Sequence, residues 1–143
     1  MKELLPEKEI VHTAKARYFK QELYTDSGYI KVDREVGNLI DFYNVLYYRE
    51  HESSYDTYYK LFRQSDKELT GTSVQELINR GIAKEKIIVG KPASTEVNEL
   101  GYMYNDDLVL AINAAYEDLK WKSGIMLDEF YYDSDGAKIN DIF

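Results

Sequence analysis

Apolar and polar positions change period several times along the chain, and each change marks an element. Glu9–Ala14 (EIVHTA) follows Pro6-Glu7, is rich in β-branched residues, and reads as a strand. Tyr24-Thr25-Asp26-Ser27-Gly28-Tyr29 carries the residues of a turn. Val32–Val36 reads as a short helix stopped by Gly37-Asn38. Leu39–Tyr48 (LIDFYNVLYY) is nearly continuous in apolar and aromatic residues, the mark of a strand covered on both faces. After the polar loop Arg49–Ser54, Tyr55–Gln64 places Tyr55, Tyr58, Tyr59 and Phe62 at helical spacing. Val74–Arg80 reads as a second helix in this connection, with Thr72 or Ser73 as N-cap, Gln75-Glu76 behind it and Gly81 as its C′ glycine. Lys86–Gly90 (KIIVG) is a short buried strand, and Lys91–Thr95 is the loop leaving it. Asn105-Asp106-Asp107 caps a long helix, Leu108–Leu119, and Gly124–Tyr131 is a last strand before the turn Asp133–Gly136.

The order is β-α-β-α-β-α-β, with four strands, and such alternation builds a parallel sheet with right-handed crossovers. A complete (β/α)8 barrel needs about 250 residues, so 143 residues suit one domain holding an open sheet or part of a barrel. With no cysteine, disulfides, thiolate zinc sites and cysteine nucleophiles are excluded. His12 and His51 are too few for a histidine metal cluster, and no phosphate-cradling glycine motif occurs, so no cofactor is expected. Asp133-Ser-Asp-Gly starts like a calcium loop but has no Glu at the required distance, which leaves a plain turn. A net charge of −8 disfavours nucleic acid and anionic membranes as partners, and no apolar run reaches the roughly 18 residues of a membrane span. MKELLPEKEI has no signal-peptide h-region, and no compartment follows from the sequence. The 14 tyrosines are expected mainly in the sheet and core.

Four segments carry a resemblance. Tyr18–Tyr29 (YFKQELYTDSGY) leads into Val36–Tyr48 (VGNLIDFYNVLYY), which resembles the sixth barrel strand, DFYNVQFYN, of glycoside hydrolase family 18 chitinases. Gly71–Ala93 (GTSVQELINRGIAKEKIIVGKPA) resembles their sixth helix and seventh strand, and Ser123–Asp133 (SGIMLDEFYYD) their eighth strand, GVMxW. The likeness runs in order along nearly the whole chain. It implies an α/β fold of half a (β/α)8 TIM barrel, from strand five to strand eight.

The family's catalytic signature DxxDxDxE ends strand four, and its Glu is the proton donor; the pattern does not occur in these 143 residues. The resemblance places residual substrate-binding positions at Asn44, Leu46, Tyr48, Met126 and Asp128. Tyr48 matches the tyrosine that hydrogen-bonds the substrate N-acetyl group. Leu46 stands for a Gln, Arg49 for an Asn, and Asp128 for the Trp under the −1 sugar. No catalytic residue is assigned. Leu46, Tyr48, Val89 and Met126 are expected on the inward face, with Asp128 either at the wet rim or paired with Arg17, Arg49 or Lys91. Asp128 and Glu129 are neighbours on a strand, so they cannot easily act as an acid/base pair, while Asp128 with Asp133 could. The expectation is a non-catalytic half-barrel, a fragment or an engineered scaffold, closed into a barrel as a homodimer. The alternative is a chito-oligosaccharide-binding module or a hydrolase fragment that needs a complementary half-barrel. Parents of the family are generally secreted.

Overall fold

β1 (Val11–Lys15), β2 (Phe42–Leu46), β3 (Ile87–Pro92) and β4 (Ile125–Asp128) lie side by side in chain order, every neighbouring pair parallel. This computed structural model describes residues 6–24, 26, 28–51, 54–96, 100–129 and 131. The sheet order is the one four consecutive β-α units produce when every crossover has the same hand. All four strands fall within or beside the segments predicted for them. The second and fourth are shorter than predicted, β2 leaving out Leu39–Asp41 and Tyr47–Tyr48, and β4 ending at Asp128.

Register separates the two faces. Tyr43, Val45, Ile87 and Val89 are fully buried and pair across β2 and β3 on the helix side. They meet Phe19, Leu61, Phe62, Val74, Leu77 and Leu108 in one core. Val89 therefore faces the helices, not the inside as predicted. Its partners Val45 and Ile125 share that side, and Ile88 and Gly90 take the other. The open face carries Val11, Thr13 and Lys15 of β1, Phe42, Asn44 and Leu46 of β2, and Met126 and Asp128 of β4. Most of these are partly exposed, so the aromatic run at 39–48 is not covered equally on both sides.

The helices are α1 (Gly28–Val36), α2 (Val74–Asn79) and α3 (Asn105–Leu119). α1 starts four residues before the predicted Val32. α2 begins with a reciprocal cap: Ser73 Oγ accepts from Glu76 N–H at 3.3 Å, and the Glu76 carboxylate accepts from Ser73 N–H at 3.0 Å. It ends in a Schellman turn, in which Gly81 N–H donates to Ile78 O and Ile82 N–H to Leu77 O, with Gly81 at φ +102°. α3 differs from expectation at its start. Tyr104 is its N-cap and offers no side-chain cap bond, while Asn105, Asp106 and Asp107 lie inside the first turn. The two aspartates act there as negative charge at the positive end of the helix dipole.

The predicted helix Tyr55–Gln64 is replaced by a wide turn. Tyr55 takes φ +57° and buries its ring, with its hydroxyl 2.5 Å from Thr72 Oγ1. Only Tyr59–Arg63 then coils, in π geometry, closed by Gln64 N–H donating to Tyr59 O at 2.8 Å. The wider turn buries Leu61 and Phe62 and leaves Tyr59 57% exposed, so Tyr59 is not on the buried face. Lys91, predicted in a loop, is inside β3 with no exposed surface. Its ammonium donates to Tyr55 O at 2.9 Å and Tyr47 O at 3.4 Å. Carbonyl acceptors make that burial tolerable. Tyr43, Tyr47, Tyr48 and Tyr55 are buried, as expected of core tyrosines, and His12 packs edge-on to Tyr29 and Tyr43. No helix among the described residues is long and apolar enough to cross a membrane. The predicted turn Asp133–Gly136 lies outside the described residues.

Glu76 also ties α2 to the preceding loop. Its Oε2 accepts from Ser65 Oγ at 2.6 Å and from Ser65 N–H at 3.1 Å. Burial raises the carboxyl, but these bonds from Ser65 and Ser73 outweigh it and hold Glu76 below the ordinary carboxylate value. A depressed native pKa stabilises the fold above the unfolded value and is lost as pH falls through the native one. Glu76→Gln is therefore expected to lower the thermal midpoint at pH 7 and to flatten its decline below about pH 4.5. Thermal melts of both proteins from pH 7 to pH 3 check this.

Candidate functional site

In parallel α/β folds the chemistry gathers where strands end, because the loops leaving their C-terminal ends converge there. The predicted site residues lie along the open face toward that end. Lys15, Leu46, Gly90 and Met126 form one hydrogen-bonded row across the sheet. A Cβ on Gly90 would meet Met126 Cε at 3.0 Å and Leu46 Cδ2 at 3.1 Å, so Leu46 and Met126 close over this glycine. Asn44 lies one row lower and donates to Thr13 Oγ1 at 3.4 Å. Tyr48 and Asp128 face the same side one row higher, close enough for the Asp128 charge to act on the Tyr48 hydroxyl. All five positions thus share one surface, in two pairs with Asn44 beneath them.

Asp128 lies half-buried at the C-terminal end of β4, the rim position that was one of the two alternatives, and the three cations of the other alternative have contacts elsewhere. Arg49 pairs with Glu129 at 3.1 Å, Arg17 with Glu50 at 3.4 Å, and Lys91 turns to the helix side. Burial, then the neighbouring Asp128 carboxylate, pushes the Tyr48 hydroxyl far above its ordinary value. Tyr48 stays protonated at any ordinary pH. Its ring is buried at 2% exposure, and the Arg49 guanidinium lies 5.8 Å from its centre. Gly101 makes this packing fit. At φ +85°, it lies so close that a Cβ would come within 2.6 Å of Tyr47 O and 2.8 Å of Tyr48 Cα. Asp133, the proposed partner of Asp128 in acid/base chemistry, lies outside the described residues.

Two features beyond β2 escaped sequence reasoning. Glu50 has a side chain only 1% exposed; Arg17 meets one carboxylate oxygen, and Oε1 is buried without a hydrogen-bond partner. Burial raises its carboxyl above the ordinary value, against the lowering pull of Arg17, Lys15 and His51. Its only sequence signal is an acid in the loop four residues past the C-terminal end of β2. Next to it, His51 Nδ1 lies 2.9 Å from Ser54 Oγ, and His51 Nε2 lies 3.3 Å from Asp66 Oδ1 and 3.4 Å from Glu68 Oε2. Ser54 is 1% exposed and also donates to Asp66 at 3.3 Å, so this serine–histidine–aspartate cluster holds the loop together and presents no accessible nucleophile.

No family model and no curated protein matches the chain. Solved structures do. A family 18 chitinase from Pseudoalteromonas aurantia superposes with a TM-score of 0.77 at 24% identity, over 99% of this chain and 48% of that one. A putative chitinase A from Streptomyces coelicolor gives 0.67 at 15% identity, over 96% and 48%. A xylanase and α-amylase inhibitor protein from Scadoxus multiflorus gives 0.56 at 18% identity, over 95% and 44%. The chain thus has the fold of half a family 18 barrel, and it spans about half the length of the structures it matches. Four consecutive parallel strands were expected from the sequence and are present.

Removing the hydroxyl tests the Tyr48–Asp128 pair. Tyr48→Phe is expected to lower stability by about 1 kcal/mol, the scale of one intramolecular polar contact. In the Asp128→Asn background it is expected to cost clearly less, so that a double-mutant cycle by denaturant unfolding returns a favourable coupling. Glu50 behaves oppositely to Glu76. A raised native pKa means that ionised Glu50 destabilises the fold above that pKa, and the penalty fades as pH falls toward the unfolded value. Glu50→Gln is therefore expected to raise the thermal midpoint at pH 7 and to lose the advantage near pH 4, as paired melts would reveal.

Proposed function

We propose that this chain is a non-catalytic half-barrel scaffold that completes itself by associating with a second copy. The observation that carries this reading is the strand order. With β1 and β4 at the two ends of an all-parallel sheet, each presents one unpaired edge among the described residues. Unpaired edges are templates for further strands. The open face adds apolar surface at Val11, Leu46 and Met126, partly exposed in the single chain. Two copies about a two-fold axis would supply eight strands, the number at which this barrel closes.

Three points support the absence of catalysis. The pattern that carries the family's proton donor does not occur in these 143 residues. The carboxylate at the old floor position, Asp128, lies beside the Tyr48 phenol, which its charge helps to keep protonated. A similar fold serves a protein named as a xylanase and α-amylase inhibitor, so the architecture does not require hydrolysis. Glu50 is a buried acid, but its 1% exposure keeps it from a glycosidic oxygen.

The gathering of Asn44, Tyr48, Met126 and Asp128 on one surface favours a second reading, a weak binding site for chito-oligosaccharides. Light scattering coupled to size exclusion is expected to return twice the 16.7 kDa of one chain. The same sample is expected to release nothing from a chromogenic chito-oligosaccharide. A mass of one chain at all concentrations defeats the scaffold reading. Heat on titration with N-acetylglucosamine oligomers, abolished by Tyr48→Phe, moves the assignment to the sugar-binding one.

A further inference from the structure

We propose that the two open edges of the sheet are complementary to one another. A second copy would join them with an offset of about four residues, setting Asp128 beside Thr13 and within reach of Lys15 of that copy. The inference rests on the self-association proposed above and deepens it by naming the register.

The offset comes from the geometry of closure. The barrel has eight strands and a shear of eight residues, so two equal halves contribute about four each. Strands wind around such a barrel with a right-handed tilt. A hydrogen-bonded row followed from β1 to β4 therefore descends toward the strand N-termini. Here that row is Lys15, Leu46, Gly90 and Met126. Its next member is not Lys15 of the second copy but a residue about four positions earlier, Val11. Asp128, two residues beyond Met126, then stands beside Thr13. The shift is even, so residues of the open face meet residues of the open face, and the sidedness of both edges is kept.

The chemistry of the two edges agrees with this register. Val11 is an apolar side chain 37% exposed on β1, and it meets Met126, which is partly exposed on β4. Asp128 gains the Thr13 hydroxyl opposite and the Lys15 ammonium on the diagonal, a distance that long side chains bridge. In the single chain, Lys15 Nζ donates only to the exposed Arg49 carbonyl at 3.2 Å among the contacts described. The two charges are opposite in sign and sit on opposite edges, so a two-fold axis makes both seams alike. A sheet continued without offset would instead set the cation of Lys15 against the thioether of Met126.

Cysteine pairs read the register directly, because the chain has no cysteine of its own. Within one chain Thr13 and Asp128 are three strand spacings apart, roughly 14 Å, too far for a disulfide. The double variant T13C/D128C is expected to oxidise to a covalent dimer, and K15C/M126C to remain uncrosslinked. Charge reversal gives a second reading. K15E and D128K are each expected to raise the dimer dissociation constant at least tenfold, while their equimolar mixture recovers a 1:1 heterodimer, since both of its seams are again opposite in charge. Circular dichroism monitors folding, and K15E with the cysteine pairs carries the test if D128K unfolds. Crosslinking of K15C/M126C, or wild-type dissociation constants for both charge variants, overturns the register while leaving self-association intact. A monomeric wild-type chain overturns self-association itself.

Discussion

One face of this sheet is sealed and the other is not, and the rest of the structure follows from that asymmetry. Parallel strands need crossovers, and each crossover lays its helices over the same side. That side becomes the core, where Tyr43, Val45, Ile87 and Val89 lie fully buried beneath the aromatic and aliphatic residues of the connections. Trp121 shuts the end of this layer nearest the strand N-termini, its indole N–H donating to Ile87 O at 2.9 Å and its ring packed on Phe62. On the opposite side Val11, Leu46 and Met126 stay partly exposed, while Gly101 and Arg49 pack on Tyr48 at its upper end. Its short rows of Thr13 and Asn44, of Leu46 and Met126, and of Tyr48 and Asp128 link strand to strand without a second layer.

The connection between β2 and β3 shows how polar groups are managed where the chain folds back on the sealed side. Three interactions of different kinds hold it. Glu76 gathers the serines 65 and 73, Tyr55 meets Thr72, and Lys91 donates to two carbonyls from inside a strand. Glu50 is the contrasting case. Only one of its carboxylate oxygens has a partner, so burial dominates and its carboxyl is raised where that of Glu76 is lowered. Two carboxylates of this connection thus respond to pH in opposite directions: burial prevails over the nearby cations at Glu50, while the bonds from Ser65 and Ser73 prevail over burial at Glu76.

Sequence patterning revealed the elements because strand and helix periods depend on neighbours a few residues away. The parallel order, the Ser73 cap and the Gly81 stop were all legible for that reason. The segment Tyr55–Gln64 was not. Its helical spacing is real, but Tyr55 bonds Thr72, seventeen residues on, and that contact turns the backbone before a helix can start. Lys91 misled for the opposite reason. A charged residue after a glycine reads as loop, but in β3 its ammonium reaches the carbonyls of Tyr47 and Tyr55, far from it in sequence.

By itself, the sequence determined a parallel four-strand order, the cap and stop of α2, and the shared face of Asn44, Leu46 and Tyr48, because alternation along a strand sorts side chains before any packing occurs. The tertiary structure alone decided which sheet face Val89 serves, that the cations near Asp128 make their contacts elsewhere, and that Glu50 is buried with one oxygen unmet. Those outcomes depend on the register between strands and on the loops that end above them. Such contacts join residues dozens of positions apart, a separation over which periodicity carries no information.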